Sequence, residues 1–301
     1  MMRFIQIVIT TLSLLTSGIV SAQLNVVTTT QDLAALAQAV GGSHIHAEAL
    51  TMGTRDPHFA EARPSMIRVV HGADVLVVVG ADLEIGWLPA VLRSARNAKV
   101  QTGGEGFLDL SEHVALLGKA SGPVDRSLGD VHVQGNPHYW LDPQNGLVMA
   151  RTIADKLIEM DKTHRVDYEA NFASFEKTLQ TKIKQWHDAL SILKGKKIIV
   201  YHNSLLYLAK TFGFEIVAEI EPKPGISPSA AHLAKLVSTI KSQDIDLLLM
   251  EPYYERRSAE FLQRNTGIQV YVIPQSVGST SKVTNYIELF DEIVFALRGV
   301  K

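Results

Sequence analysis

The sequence predicts an α/β protein of two lobes, each a mainly parallel sheet flanked by helices, joined by one long connector helix. Three observations carry this prediction. Short runs rich in β-branched residues recur along the chain. They are continuously apolar rather than alternating, as strands buried on both faces of a parallel sheet are. Helical patterns lie between them, and that alternation marks α/β architecture. The alternation also comes in two blocks, and 301 residues are ample for two such units.

In chain order, residues 1–22 read as an export signal. Arg3 supplies a short positive start, the stretch from Ile5 to Ile19 is mostly apolar, and Val20-Ser21-Ala22 fits a small-residue cleavage site before Gln23. The apolar run is short for a membrane-spanning helix, and no cysteine follows it to carry a lipid. The expectation is a signal peptide and a periplasmic mature chain. Arg3 is the sole charged residue of the leader, so the mature chain keeps 28 basic against 31 acidic residues. That balance gives no sign of a nucleic-acid partner.

The first lobe is expected over 23–165. It opens with a strand at Leu24 to Thr28 and a helix from Asp32. A strand pattern at His46 to Leu50 follows, and Val75 to Val79 is an unbroken apolar run ending in Gly80. The stretch from Lys119 to Gly135 holds Gly, Pro, Ser and Asp with little apolar content and reads as a disordered surface loop. The connector is expected over 166–194. From Val166 to Leu193 its apolar residues are Phe172, Phe175, Leu179, Ile183, Trp186 and Leu190, three or four apart, which is one face of a long helix. It contains no Gly or Pro before Gly195, so it reads as a rigid element. The second lobe, 195–301, repeats the alternation with strand runs at Lys197 to Tyr201, Asp246 to Met250 and Gln269 to Ile273, and a helical pattern at His232 to Ser242.

The chain has no cysteine, which excludes disulfides, thiol catalysis and thiolate metal sites. A soft metal would have to be held by histidine with carboxylate or amide help. Of the 11 histidines, His164 and His187 flank or lie on the connector and read as solvated. His71, His113 and His232 read as surface or internally satisfied. His44 and His46 alternate along a strand pattern. His132 reads as a solvated loop residue that could sample metal transiently. Three others differ by their setting. His58 follows Asp56-Pro57 and His138 follows Asn136-Pro137, so in both cases proline fixes the backbone just before the imidazole. His202 directly follows a strand. Ligands of α/β sheets bind beyond the carboxyl ends of strands, so facing lobes would set His58 and His202 across one cleft.

Several motifs carry a resemblance. Asp56-Pro57-His58 with Arg63-Pro64-Ser65, Gly72-Ala73-Asp74, Gly80-Ala81-Asp82-Leu83-Glu84 with Trp87-Leu88, and Asn136-Pro137-His138-Tyr139-Trp140-Leu141-Asp142-Pro143 together resemble the metal receptors of ABC importers, the cluster A-I solute-binding proteins. The resemblance spans nearly all of the mature chain. It implies two α/β lobes joined by a long helix, no catalytic residues, and a monomeric receptor that passes a metal ion to a permease in the inner membrane. It also implies that His58 and His138 are the first two ligands, with His202 at the third position, where zinc-type members carry histidine. The family's fourth ligand is often Asp; here Gln275 stands in its place, leaving the fourth position to Gln275, to water or to a nearby carboxylate such as Glu251. Three neutral imidazoles favour zinc, with copper or nickel next, over oxygen-seeking manganese. Manganese and copper receptors of the same fold remain alternatives. A different class is a zinc hydrolase, since three histidines and a water also describe a catalytic zinc site. Glu61, Glu221 and Glu251 are its candidate bases, but no His-Glu-x-x-His helix is present. A third class is a surface adhesin, against which the missing lipid-anchoring cysteine argues.

Overall fold

The fold was analysed in a computed structural model that describes residues 23–119, 132–245 and 247–300. The expected signal peptide, and residues 120–131 of the expected disordered loop, lie outside the described residues. Among the described residues no helix is long and apolar enough to cross a membrane.

The first sheet contains β1 (Leu24–Thr28), β2 (Ile45–Ala49), β3 (Val75–Val78) and β4 (Phe107–Asp109) in the order β2-β1-β3-β4, every pair parallel. The second contains β5 (Lys197–Val200), β6 (Glu215–Glu219), β7 (Leu247–Met250) and β8 (Gln269–Val272) in the order β6-β5-β7-β8, again all parallel. The two lobes thus repeat one topology. In each, the chain moves outward to one side and then to the other, which opens a crevice at the carboxyl ends of the strands. The apolar runs at Val75, Lys197 and Asp246 became the central strands β3, β5 and β7, and all four residues of β3 and of β7 are buried; the run from Gln269 became β8, at the edge of its sheet. β4 and β6 carried no such signal. They are edge strands, with half-exposed residues and, in β6, two glutamates.

Nine α-helices cover these sheets among the described residues: α1 (Gln31–Gly41), α2 (Pro64–His71), α3 (Leu88–Ala95), α4 (Pro143–Met160), α5 (Arg165–Ala189), α6 (Leu206–Phe212), α7 (Ala230–Gln243), α8 (Arg257–Thr266) and α9 (Tyr286–Leu297). α5 is the expected long helix, about 37 Å at 1.5 Å per residue. It buries Phe175, Leu179, Ile183 and Trp186 as the spacing requires, with Tyr168 added at its start. Its α-helical part stops at Ala189. The remaining residues tighten into a 3-10 turn at Ser191–Leu193, and Leu190 and Leu193 stay buried there.

The connector is packed rather than free, because α5 lies against α1, α4 and α9. One hydrophobic cluster consequently runs through both lobes, from Leu33, Leu36 and Val40 of α1 through Leu179 and Ile183 of α5 to Leu249, Phe290 and Ile293. Two smaller clusters fill the outer face of each sheet, around Leu76 and Val91 in the first and Leu248 and Leu262 in the second. Polar ties cross the junction as well. The fully buried Asp32 accepts the Val277 amide at 2.9 Å and the Ser276 hydroxyl, and burial pushes its carboxyl up to about 7 despite those bonds. The Trp140 indole donates to the Gln275 carbonyl at 2.9 Å, and the Tyr286 hydroxyl donates to the Trp140 carbonyl at 2.5 Å.

Candidate metal centre

The candidate ligands sit on the loops that leave the carboxyl ends of the strands. After β2 the chain makes a 3-10 turn at Pro57–Phe59, capped by Asp56. Asp56 Oδ1 accepts the backbone amide of His58 at 3.0 Å and meets Nδ1 of the same residue at 2.6 Å. One carboxylate therefore sets both the backbone and the ring of His58. The second Pro-His turn, which leads into α4, uses the same device. Asn136 Oδ1 accepts the His138 amide at 2.9 Å and faces His138 Nδ1 at 3.0 Å. In each turn proline holds the intervening residue at a fixed φ, so the first side chain can reach both groups. His202 is placed differently. It is extended at the end of β5, and its Nδ1 faces Oε2 of Glu221, just beyond β6, at 3.0 Å.

In all three residues an oxygen that can only accept occupies the Nδ1 side. Each imidazole must donate there, which leaves the Nε2 lone pair free to bind a metal. The three rings form a nearly equilateral triangle, with centroids 5.0 Å apart for His58 and His138, 5.6 Å for His58 and His202, and 5.4 Å for His138 and His202. Their ligand atoms lie within 4.8 Å of one another, and all three residues are buried. Among the described residues this is the one group of histidines and carboxylates that gathers three ligand atoms so closely.

The electrostatics suit a cation. Burial, and then the neighbouring rings of His58, His202 and His132, hold His138 well below the ordinary histidine range. Burial works against the charged form of His202 too. The hydrogen bond and charge of Glu221, helped by Glu251 and Asp56, outweigh it and raise that ring. Burial likewise opposes ionisation of Asp56, but its bonds to His58 and the charges of His58 and His202 hold it below the usual carboxylate value.

Each of the two candidates for a fourth protein ligand has one side-chain atom bonded elsewhere and one without a hydrogen-bond partner among the described residues. Oε1 of the buried Gln275 accepts the Tyr253 hydroxyl, and its Nε2 has no hydrogen-bond partner among the described residues. Glu251, fully buried at the end of β7, takes the Ser204 hydroxyl on Oε1 and stands outside the three-histidine group. Burial raises its carboxyl to about 7, against the hydrogen bond from Ser204 and the charge of His202. Glu61 is exposed.

His132 is placed otherwise than a solvated loop residue would be. It is half-buried, and its Nε2 lies 3.1 Å from Nε2 of His58. Its contact with the group is to His58, and it is not among the three whose ligand atoms all lie within 4.8 Å of one another. Burial first, and the charges of His58 and His202 next, lower its ring to about 3. Local composition held no sign of this, because the placement is tertiary. The remaining histidines are accounted for locally. His44 pairs with Asp167 at 2.9 Å and stacks on His164, which pairs with Asp161. His71 and His232 bond backbone carbonyls. His46, His113 and His187 are exposed.

One motif is architectural. After β3 the chain runs through Gly80, Ala81 and Asp82 with φ of 74°, 49° and 65°, a left-handed run that is costly for the two non-glycine residues. The buried Glu84 carboxylate clamps it, accepting Thr29 Oγ1 at 2.5 Å, the Val79 amide at 2.8 Å and the Gly80 amide at 3.1 Å. Gly80 cannot be replaced there, since a Cβ would fall 1.9 Å from Asp109 Oδ1.

Comparison with known proteins agrees with this architecture. The family model described as zinc-uptake complex component A, periplasmic, matches residues 26–299. The zinc-binding lipoprotein AdcA of Streptococcus pneumoniae is 26% identical over 282 residues, covering 92% of this chain and 55% of that protein. The chain therefore spans about half the length of that relative. The iron ABC transporter substrate-binding lipoprotein MtsA of Streptococcus pyogenes is 25% identical over 262 residues, covering 83% of this chain and 79% of its own. Among solved structures, one of ZnuA superposes with a TM-score of 0.76 at 23% identity, over 93% of this chain and 99% of that one, and shows the same fold.

Proposed function

The chain belongs to the family of periplasmic zinc-uptake component A proteins, and from that premise we propose that it is the receptor of an ABC importer, binding one zinc ion through His58, His138 and His202 and handing it to a membrane permease. The observation that carries this reading is the convergence of three buried imidazoles, each held on its Nδ1 side by an oxygen acceptor and each offering Nε2 to a common point. Neutral nitrogen donors in this number favour zinc and its late-transition neighbours over manganese. The ion is cargo: it is gathered from outside the inner membrane by a monomer, and it is carried without chemical change. A hydrolase would need a free carboxylate beside an open metal position. Glu221 is committed to His202 and Glu251 lies outside the three-histidine group, which speaks against it.

The test is metal analysis of tag-free protein purified without chelator, followed by titration calorimetry of the apo form. One zinc per chain and much weaker manganese binding are expected. Tighter binding of manganese or iron than of zinc would overturn the metal assignment.

A further inference from the structure

We propose that His132 is the fourth nitrogen ligand, closing a four-imidazole site with His58, His138 and His202. The proposal rests on the three-histidine reading above and extends it to a residue outside the two Pro-His turns and the strand end. The geometry of the His58–His132 contact is the starting point. The Asp56 carboxylate takes the Nδ1 proton of His58, so Nε2 of His58 presents a lone pair. The His132 ring is hydrogen-bonded to the backbone of Ala81. With Nε2 turned to His58, that bond falls to Nδ1, and a carbonyl can only accept. Two lone pairs then face each other at 3.1 Å, an arrangement that calls for a cation. Two nitrogens on one tetrahedral zinc ion, each about 2.0–2.1 Å from it, stand about 3.3 Å apart. The contact has the length of one edge of such a site.

The surroundings support the assignment. Ala81 belongs to the left-handed run that Glu84 clamps, so the carbonyl that orients His132 sits on a fixed and strained loop. Each of the four imidazoles then has an oxygen behind it: Asp56, Asn136, Glu221 and the Ala81 backbone. Four neutral imidazoles bring no charge of their own. The carboxylates of Asp56 and Glu221, one bond behind the ligands, match the two positive charges of the ion. The Gln275 carbonyl oxygen, the alternative fourth donor, is held by Tyr253. His132 reaches the group through His58 and stands outside the 4.8 Å limit. Closure around an ion therefore draws it toward His138 and His202.

The experiment uses the mature chain and zinc alone. Long-range proton–nitrogen spectra of zinc-loaded wild-type protein should show four imidazoles with metal-bound Nε2. His132→Ala should still take up one zinc per chain but bind it at least about 10-fold more weakly, and the visible spectrum of its cobalt form should change. Three metal-bound imidazoles in wild type, or a His132→Ala variant with unchanged zinc affinity and cobalt spectrum, would overturn the proposal and leave the receptor reading standing. Failure of wild-type protein to bind one zinc per chain would remove both.

Discussion

The two Pro-His turns and the end of β5 solve the same problem by different means. In Asp56-Pro57-His58 and Asn136-Pro137-His138 the residue that orients the imidazole lies two positions before it and also accepts the histidine's backbone amide, so the imidazole is set by three consecutive residues. His202 depends on Glu221, 19 residues further on and beyond the next strand, so its orientation exists only once β5 and β6 have paired. The turns are locally prepared, whereas the strand end is prepared by the sheet. The orienting groups differ in charge as well, carboxylate behind His58 and His202 and amide behind His138. A carboxylate makes its imidazole a more basic ligand and offsets the charge of the ion.

The largest effect expected is loss of any ring of the triangle. His58→Ala, His138→Ala and His202→Ala should each weaken zinc binding by more than about 100-fold, beyond what loss of an outer partner costs. His164→Ala and His187→Ala should leave it unchanged; competition with a chelating dye measures both. Near-wild-type affinity in one of the first three would remove that residue from the site and break the parallel between turn and strand end.

The orienting groups come next. Asp56→Asn and Glu221→Gln should each cost about 10- to 100-fold in affinity. Asn136→Asp should cost nothing and tighten binding, because it adds the charge that the second turn lacks. Equal losses in all three variants would show that geometry matters here and charge does not.

Protons sharpen the contrast further. Metal and proton compete for the same lone pair. His138 is held well below the ordinary value of 6.5, so it remains available to the metal at mildly acidic pH. His202 is raised above 6.5 and is therefore the first of the two to be protonated. Zinc affinity should be full above the pKa of His202 and fall as the pH drops through it, with the loss beginning above 6.5. Calorimetry across pH should show Glu221→Gln moving that fall to lower pH; a profile that the substitution leaves in place would assign the competing proton elsewhere.

The smallest effect expected is in overall shape. α5 has no Gly or Pro at which to kink, and the core cluster is continuous through both lobes. Solution scattering should give the same radius of gyration with and without zinc, while hydrogen exchange slows in the turns that carry the ligands. A marked compaction on binding would mean that the shared core yields.

Much of this architecture was legible in the sequence because burial leaves a pattern. β3 and β7 are sealed on both faces, and their unbroken apolar runs say so. The stripe on α5 was readable for the same reason. β4 and β6 were not, since β4 is only three residues long and β6 is half in solvent with a glutamate at each end, so neither has a run to show. In the site, proline and the strand end marked His58, His138 and His202. The polar residue two places before each Pro-His histidine was also in view, and its repetition was the missed signal of the orienting groups. Glu221 went unassigned to His202 because β6 was unseen. His132 had no local mark, for nothing in its neighbours along the chain records a position beside His58.

The continuity of the core also bears on how the chain acquires its structure. Leu33, Leu36 and Val40 of the first helix share one core cluster with Phe290 and Ile293 of the last, α1 touches α9, and Asp32 bonds Ser276 and Val277. Contacts of such sequence separation carry a heavy loop-closure cost and form late. A nascent chain still lacking α9 would hold part of its α1 face uncovered. Folding completes only when the C-terminus closes on the N-terminus, and truncation within α9 should harm the first sheet as much as the second.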